Sequence, residues 1–275
     1  MADPKVWFIT GCSKGFGRIL AEAALERGDK VAATARDAST LDGLKESYGD
    51  SVLTTALDVQ DRDADFAAVR AAHEAFGRID VVVNNAGYGL FGAVEEVSEA
   101  EARDQIETNL FGALWVTQAA LPIMREQGSG HVIQVSSIGG VTAFPEVGLY
   151  HASKWGLEAF SQSLSLEVAR FGIHVTLIEP QGYSTDWSGP SSVRANGIDA
   201  YEQMREERKE QLGKRSSGDP DASGPAILKL VDAEEPPLRC FFGKDAFGIV
   251  RPDYESRLSA WEEWDWLAKE AHGDE

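Results

Sequence analysis

Tyr150 and Lys154 stand four residues apart in a segment whose residue types could carry out acid–base chemistry. An apolar pattern continues from them through Leu157 and Leu164 at helical spacing, which predicts a helix. Because residues four apart share one face of a helix, the phenol and the ammonium would lie side by side. A neighbouring cation favours tyrosinate, so we expect Lys154 to lower the pKa of Tyr150 and make it a proton donor and acceptor near neutral pH.

Two serines, Ser136 and Ser137, close an apolar run that begins at Val132 and predicts a strand. Open α/β sheets bind their ligands at the carboxyl ends of their strands. For Ser136 we expect a hydrogen bond to the neighbouring backbone. Ser137 lies one residue farther into the expected cleft, so we expect its hydroxyl to donate to an oxygen of the substrate.

A glycine-rich segment, residues 10–17, follows the first apolar run directly and opens a helical pattern. Glycines permit a tight turn there and let a pyrophosphate approach backbone N–H groups at the positive end of a helix. In a chain with 27 glycines the spacing alone is a weak signal, and a bare turn is the alternative. Its place at the first strand-to-helix junction favours a dinucleotide site, in which the expected contacts are Gly11, Ser13, Lys14, Gly15, Phe16 and Gly17.

The second predicted strand leads into Arg36, at a place where an acidic residue would hold a ribose diol. A cation there, joined by Lys14, would attract a 2′-phosphate instead. The residues therefore favour NADP(H) over NAD(H). Asp37 stands next to Arg36 and could reach a ribose hydroxyl, which is the alternative.

Short apolar runs alternate with longer amphipathic stretches over the first two thirds of the chain. This alternation predicts an α/β fold in which a doubly wound parallel sheet lies between two layers of helices. A stripe from Ile106 to Met124 predicts a long helix, preceded by a capping box at Ser98 and Glu101. No linker divides the chain, so residues 1–275 are expected to form one domain. The strands are expected at Val6–Ile9, Val31–Ala35, Val52–Leu57, Val81–Asn84, Val132–Ser136 and Ile173–Ile178.

The rhythm of strands and helices breaks after Pro180. Residues 181–217 are rich in glycine and proline and contain a charged helical insert from Tyr201 to Lys214, which favours a lid over the substrate. Residues 253–272 return to a helical pattern. Their apolar positions, which we expect to serve packing rather than ligand binding, are Leu258, Trp261, Trp264, Leu267 and Ala268.

The chain carries 45 acidic against 26 basic residues, and its net charge of −19 would repel nucleic acid or an anionic bilayer. No run reaches the roughly 18 uninterrupted apolar residues of a membrane span. Cys12 and Cys240 have no partner pattern, and the five histidines form no ligand cluster. We therefore expect no nucleic-acid or membrane partner, no metal and a cytoplasmic location.

Taken in order and at their distances, four features resemble the short-chain dehydrogenase/reductase family: the glycine segment, Asn84-Asn85-Ala86-Gly87, Ser137, and Tyr150 with Lys154. The similarity covers about residues 5–185. It implies a Rossmann fold in which Tyr150 is the general acid/base. Lys154 would tune Tyr150 and bind the nicotinamide ribose, and Ser137 would orient the substrate carbonyl.

The resemblance also implies roles for residues that carry no signal of their own. Asn109, in the central helix, would complete a water-mediated proton relay through Lys154. Where the family usually reads Pro-Gly after the sixth strand, this chain has Pro180-Gln181-Gly182, which changes the backbone beside the nicotinamide. The other cofactor contacts implied are Asp58 and Val59 at the adenine, Asn85, Ala86 and Gly87 under the adenosine ribose, Pro180, Gly182 and Tyr183 in the nicotinamide loop, and Thr185 at the carboxamide.

These expectations describe NADPH-dependent, reversible reduction of a medium-sized, largely apolar ketone or aldehyde. Alternatives are a 3-oxoacyl carrier-protein reductase, a hydroxysteroid-type reductase or a non-catalytic NADP-sensing module. The two helical stripes at residues 106–124 and 150–168 resemble the family's dimerising helices, which implies a homodimer or homotetramer. The expected cleft wall is apolar and aromatic and consists of Tyr88, Leu90, Phe91, Phe144, Val147, Tyr183 and Trp187.

Overall fold

The first strand shows how the central sheet separates two cores. Trp7 and Ile9 are buried on one face, while Phe8 between them is buried on the other. Side chains alternate between the faces of a strand, so a strand that is apolar throughout must be covered on both sides. The sheet therefore lies in the middle of three layers.

The computed structural model describes residues 4–185, 187, 189, 191–212 and 217–273. Seven parallel strands of this part form the sheet, in the order β3-β2-β1-β4-β6-β7-β9. The strands are β1 Val6–Ile9, β2 Lys30–Ala35, β3 Val52–Ala56, β4 Val81–Asn84, β5 Leu90–Phe91, β6 Gly130–Val135, β7 Ile173–Pro180, β8 Val193–Arg194 and β9 Arg239–Phe242. The helices are α1 Gly15–Arg27, α2 Asp42–Tyr48, α3 Arg62–Phe76, α4 Glu99–Ile106, α5 Gly112–Gln127, α6 Gly148–Val168, α7 Glu202–Leu212, α8 Ser223–Val231, α9 Ala246–Glu263 and α10 Asp265–His272.

The predicted doubly wound α/β/α fold is confirmed. Helices α1, α2 and α8 cover one face of the sheet, and α3, α5 and α6 cover the other. The strand order reverses between β1 and β4, which makes the carboxyl ends of these two strands the place where such sheets bind ligands. All six predicted strands are present, with their ends shifted by two residues at most.

Two elements differ from the sequence prediction. The sheet has a seventh strand, β9, which pairs with β7 from Leu177 opposite Arg239 to Pro180 opposite Phe242. The predicted long helix is not α-helical throughout, because a π-helical segment, Glu107–Phe111, lies between α4 and α5. The capping box before α4 is confirmed, since Ser98 accepts from the backbone of Glu101 and the Glu101 carboxylate accepts from the backbone of Ser98.

The stretch after β7 lies over the beginning of α6. Strand β8 pairs with β5 in a separate two-stranded sheet. Helix α7 covers Glu202–Leu212 of the predicted insert, and Lys214 lies outside the described residues. Arg208 of α7 donates to the backbone carbonyl of Pro145 and lies 3.4 Å from the Glu146 carboxylate, which ties α7 to the loop before α6.

The C-terminal apolar face that was predicted to serve packing is not covered by the described part of this chain. The start of α9 is anchored, because Ala246 and Val250 pack with Ile138 and Val141. Farther along the helix, Arg257 lies 4.5 Å from the centre of the Trp155 ring of α6, whereas Trp261 and Trp264 are 67% and 56% exposed. Leu258 and Leu267 are also exposed, so helical spacing predicted the helix correctly but not what covers it.

A buried carboxyl group in α3 allows a test of stability. Asp65 is fully buried, and neither of its oxygens has a hydrogen-bond partner among the residues that the structure describes. Burial, with the charges of Asp61 and Asp58, raises its pKa to about 8. The folded state therefore keeps a proton that the unfolded chain releases above about pH 4, so stability falls as the pH rises from about 4 to 8.

We expect Asp65→Asn to remove this slope and to raise the free energy of unfolding by about 1–3 kcal/mol at the alkaline end. Chemical denaturation of both proteins across that pH range measures the difference. Asp63→Asn is the matched control, since Asp63 lies in the same helical turn but is exposed. Parallel stability curves for wild type and Asp65→Asn would contradict the prediction.

Candidate active site

The residues predicted to do chemistry meet at the carboxyl edge of the sheet. The glycine segment follows β1, Asn85 follows β4, and Ser136 and Ser137 follow β6. Parallel strands deliver all of these ends to the same side. Helix α6 begins beside them and carries Tyr150 and Lys154.

The glycine segment has the shape of a phosphate cradle. Gly11 and Gly15 have positive φ angles of 71° and 60°, which glycine adopts without strain. A Cβ on Gly17 would lie 2.3 Å from the Gly11 carbonyl oxygen, so only glycine fits where α1 passes under the turn. Lys14 precedes α1 without a side-chain cap, which leaves the first N–H groups of that helix to a ligand. The segment therefore fits a dinucleotide pyrophosphate.

Asn85 holds this turn in place. Its side-chain amide donates to the carbonyls of Thr10 at 2.9 Å and Gly11 at 3.1 Å. The Thr10 hydroxyl accepts from the backbone of Asn85 and Ala86. Gly87 is exposed at the end of this segment, where its backbone is open to a ribose. Asn85 and Ala86 thus brace the glycine turn as well as border the cofactor site.

The ends of β2 and β3 carry the residues predicted for the adenosine end. Arg36 is exposed directly after β2. The Asp37 carboxylate instead accepts from the backbone and the hydroxyl of Ser39, which lowers the pKa of Asp37. Asp58 is exposed after β3, and Val59 is buried against Gly112. Of the two neighbours Arg36 and Asp37, Arg36 is thus the one whose exposed side chain does not cap the turn after β2.

Tyr150 lies on the buried face of α6 and is only 5% exposed. Its ring centre lies 4.9 Å from that of the Trp187 ring, and its side chain packs with Phe91 and Val147. Burial raises the pKa of its phenol to about 12, and a hydrogen bond with Ser137 acts in the opposite direction. The prediction that Tyr150 has a lowered pKa beside Lys154 is therefore wrong, because burial raises the pKa by more than any effect of the cation lowers it.

Lys154 is also buried, and its Nζ donates to the Val135 carbonyl at 2.7 Å. Nζ lies 5.9 Å from the centre of the Tyr150 ring, as expected one helical turn away. Burial lowers the pKa of Lys154 to about 8, and the charge of Glu158 raises it. The ammonium is thus held beside the phenol with its charge intact at neutral pH.

The two serines after β6 have different partners. The Ser137 hydroxyl accepts from the backbone of Gly139 at 3.0 Å and is bonded to Tyr150. Ser136 does not bond to the backbone through its hydroxyl as predicted, but donates to Glu158 Oε1 at 2.5 Å. A buried carboxylate is a stronger hydrogen-bond acceptor than a carbonyl, so the Ser136 hydroxyl donates to Glu158 rather than to the backbone. Ser137 is the serine that borders the tyrosine.

His151 braces the loop that follows Ser137. Its Nε2 accepts from the backbone of Phe144 at 2.9 Å, and its Nδ1 lies 2.7 Å from the Gly139 carbonyl. This pairing fits the neutral ring with its proton on Nδ1, and burial lowers the pKa of His151. The imidazole is therefore committed to the loop.

Asn109 lies in the π-helical segment and is buried beside Gly87. Its amide donates to the Tyr88 carbonyl at 3.0 Å and to Ser153 Oγ at 3.2 Å, and its Oδ1 accepts from the Tyr88 backbone. A Cβ on Gly87 would lie 3.0 Å from Asn109 Oδ1 and 3.7 Å from Lys154 Nζ. The wider turn of the π-helix thus brings Asn109 and Lys154 to the same glycine.

The loop after β7 differs from the family pattern by Gln181, and the structure shows what Gln181 does. The Gln181 Oε1 accepts from the backbone of Asp245 at 2.9 Å, and its backbone N–H donates to the carbonyl of Phe242. Pro180 ends β7, and Gly182 has open space where a Cβ would be. Gln181 therefore fastens this loop to the end of β9.

The predicted cleft wall falls into two groups. Phe91, Phe144, Val147 and Trp187 surround Tyr150. Tyr183 instead packs edge-on against Phe16 at 4.8 Å, beside the glycine segment. Leu90 is fully buried, and Tyr88 serves Asn109 through its backbone. The Thr185 hydroxyl accepts from the backbone of Trp187, at the edge of both groups.

Sequence reasoning missed the residues behind Lys154. Glu158 is buried, accepts from Ser136 and pairs with Arg239 of β9. Its signal was present, because Tyr150, Lys154 and Glu158 follow one another at intervals of four on one helix. Arg239 carried none, since β9 itself was not predicted.

Comparison with known proteins agrees with this architecture. Residues 5–195 match the short chain dehydrogenase family. The chain is 42% identical over 264 residues to the oxidoreductase BOA17 of Botryotinia fuckeliana, covering 94% of this chain and 96% of that protein. It is 36% identical over 245 residues to a 3-ketodihydrosphingosine reductase of Bacteroides thetaiotaomicron, covering 88% of each.

Solved structures show the same fold. A short-chain dehydrogenase from Streptomyces avermitilis superposes with a TM-score of 0.92 at 38% identity, over 98% of this chain and 100% of that one. Two more distant structures, each 25% identical, contain nucleotide. One from Burkholderia phymatum is in complex with NAD (TM-score 0.82, 94% and 95% covered), and a metagenomic one is in complex with NADP (TM-score 0.70, 86% and 96% covered).

The matched length, the parallel sheet and the tyrosine and lysine at its carboxyl edge lead to one assignment. No helix in the described part of the chain is long and apolar enough to cross a membrane. The chain belongs to the short-chain dehydrogenase family of oxidoreductases.

Proposed function

We propose that this protein is an NADPH-dependent reductase that converts the carbonyl of a medium-sized, largely apolar ketone or aldehyde to an alcohol. The observation that carries the proposal is the buried Tyr150 phenol, bonded to Ser137 and one helical turn from Lys154. This group lies at the carboxyl edge of the sheet, on the same side as the uncapped start of α1. A proton donor and a dinucleotide cradle on one edge are what carbonyl reduction needs.

NADPH bound along the glycine segment would supply a hydride. Ser137 would donate to the substrate oxygen and hold the carbonyl against Tyr150, which gives its proton to that oxygen. A phenol with a pKa of about 12 stays protonated at neutral pH, so the resting form is the donor that reduction requires. Lys154, with a pKa of about 8, is charged at pH 7 and stabilises the tyrosinate left behind.

The surroundings of Tyr150 support an apolar substrate. Phe91, Phe144 and Val147 pack at the tyrosine, and Trp187 lies against its ring. The relative named as a 3-ketodihydrosphingosine reductase acts, by that name, on a ketone of a long-chain compound. Loss of NADPH absorbance across a panel of apolar ketones and aldehydes, with polar carbonyl compounds alongside, tests the proposal. Tight NADPH binding without turnover of any of them would favour a nucleotide-sensing module instead.

The preference for NADPH rests on Arg36. Its guanidinium is exposed at the end of β2, while the neighbouring Asp37 is engaged with Ser39. A guanidinium pairs with a phosphate through two hydrogen bonds, so it would hold the 2′-phosphate. We expect Arg36→Ala to weaken NADPH binding about tenfold or more and to leave NADH binding unchanged.

Cofactor titrations by fluorescence measure both affinities. Arg103→Ala is the control, since Arg103 is an exposed arginine that pairs with Glu99 in α4. Equal losses for NADPH and NADH in Arg36→Ala would contradict the assignment of the phosphate to Arg36.

We also propose that the protein works as a homodimer or homotetramer. Large apolar side chains are exposed on α6 and on the C-terminal helices, among them Leu166 at 80% and Trp261 at 67%. Clustered exposed apolar side chains commonly mark an interface. Light scattering of the purified protein measures the assembly, and a monomer at micromolar concentration would reject the proposal.

A further inference from the structure

A group of three buried polar side chains and one exposed arginine lies behind the proposed reaction centre. Its members are Ser136 after β6, Glu158 on α6, Glu179 on β7 and Arg239 on β9. Arg239 Nε donates to Glu158 Oε2 at 2.8 Å and lies 3.7 Å from Glu179 Oε1. We call these four residues the rear cluster.

Glu158 connects this cluster to both partners of Tyr150. Lys154 Nζ rests on the Val135 carbonyl, and the next residue, Ser136, donates to Glu158 at 2.5 Å. Ser137 comes directly after Ser136. A Cβ on Gly140 would lie 2.5 Å from Ser136 Oγ and 3.1 Å from Glu158 Cγ, so the turn after Ser137 sits closely over this contact.

We propose that Glu158 is a positioning residue for the reaction. Its carboxylate, anchored by Arg239, fixes the strand end that carries the Lys154 acceptor and Ser137, and supplies a negative charge one turn behind Lys154. This inference rests on the proposed function, since it concerns how the same site is kept in working geometry. Glu158 acts through Lys154 and Ser137 and does not touch the reacting atoms.

The charges in the cluster fit this role. Burial and the neighbouring Glu158 raise the pKa of Glu179 to about 8, so Glu179 keeps its proton at neutral pH. Burial raises the pKa of Glu158 as well, but its hydrogen bond with Ser136 and the charge of Arg239 act in the opposite direction. Of the two carboxyl groups, Glu158 is the one that has both of these partners. The other charged or titratable groups near Lys154 and the cluster are Tyr150 and His151 on α6, Cys240 on β9, and Arg251 and Glu255 on α9. Besides burial, the charge that acts on Lys154 is that of Glu158.

Glu158→Gln tests the charge separately from the packing. The glutamine oxygen can still accept from Ser136, but the negative charge behind Lys154 is gone. We expect the Lys154 ammonium to titrate at least about one pH unit lower. We expect kcat to fall at least about fivefold at pH 8, with its alkaline limb displaced by the same pH interval as the Lys154 titration, while KM for the carbonyl changes less than about twofold.

Titration of ¹³Cε-lysine signals by NMR follows Lys154 without any turnover, and Lys154→Arg assigns its signal. Glu167→Gln is the matched control, because Glu167 is exposed on the same helix. Glu179→Gln is a second control, because an amide N–H can replace the O–H donor of the protonated carboxyl. In this variant we expect Lys154 to titrate as it does in the wild type.

An unmoved Lys154 titration in Glu158→Gln, or an equal shift in Glu167→Gln, would overturn the proposal whatever the activity. If Glu158→Gln displaces the Lys154 titration but the wild-type enzyme turns over no carbonyl, the result would support the positioning role and reject the proposed reaction. The two proposals therefore fail by different measurements.

Discussion

Tyr150→Phe is expected to lower the turnover of carbonyl reduction by at least about a thousandfold and to leave NADPH affinity within about twofold of wild type. The phenylalanine ring keeps the packing against Trp187 and Phe91, so the fold around the site should not change. What is lost is the proton donor, because a phenol with a pKa of about 12 holds its proton at neutral pH until the substrate oxygen takes it. NADPH absorbance measures turnover, and fluorescence of bound NADPH measures affinity.

Tyr254→Phe serves as the control for this change. Tyr254 is 45% exposed on α9, so removing its hydroxyl should alter neither turnover nor cofactor binding. Retained activity in Tyr150→Phe would reject Tyr150 as the acid and with it the proposed mechanism. A loss of NADPH binding equal to the loss of turnover would show instead that the phenol holds the cofactor rather than the proton.

The sequence predicted the sheet and its edge because these depend on local pattern. A strand buried on both faces is apolar along its length, as in β1 and in the three valines of β4. A glycine turn directly after the first strand is typical of a dinucleotide site. The seventh strand was missed because Arg239, Cys240, Phe241 and Phe242 form a short mixed run that alternation does not distinguish from a loop. Tertiary pairing with β7 decides its conformation.

The C-terminal tryptophans illustrate a second limit. Helical spacing placed Leu258 and Trp261 on one helix, which the structure confirms, but spacing does not say what lies opposite that face. In the described chain these side chains face solvent, and Trp264 is 56% exposed. The spacing therefore predicts which side of the helix is apolar and does not predict what that side contacts.

The sequence predicted which candidate residues lie close together, but it did not predict their pKa values or their hydrogen-bond partners. The spacing of Tyr150 and Lys154 gave their shared face, and the structure places their side chains one turn apart. The effect of Lys154 on the phenol was overestimated because burial cannot be read from two residues. For the same reason the Ser136 hydroxyl was expected to bond to the neighbouring backbone. In the structure a carboxylate from another element, that of Glu158, accepts its hydrogen bond.

Gly17→Ala is expected to weaken NADPH binding by at least about a hundredfold. A Cβ at this position would lie 2.3 Å from the Gly11 carbonyl oxygen and 2.4 Å from the Asn85 side-chain nitrogen. Neither group can move alone, because the Asn85 amide donates to both Thr10 and Gly11. The whole turn must shift away from the start of α1, and the N–H groups that would bind the pyrophosphate shift with it. Fluorescence titration with NADPH measures the loss.

A general loss of folding would also weaken NADPH binding, so Gly17→Ala needs a control. A suitable control replaces a helical glycine by alanine at a position where the added Cβ meets no other atom. Gly248 lies in α9 with open space where a Cβ would be, and Gly248→Ala should raise stability by about 0.5–1 kcal/mol without affecting NADPH. Circular dichroism and thermal unfolding then separate a misfolded Gly17→Ala protein from a folded one that no longer binds. A folded Gly17→Ala that binds NADPH within about threefold of wild type would mean that the turn after β1 is not the pyrophosphate site. The dinucleotide, and the hydride it would bring to the Tyr150 edge of the sheet, would then have no place in this protein.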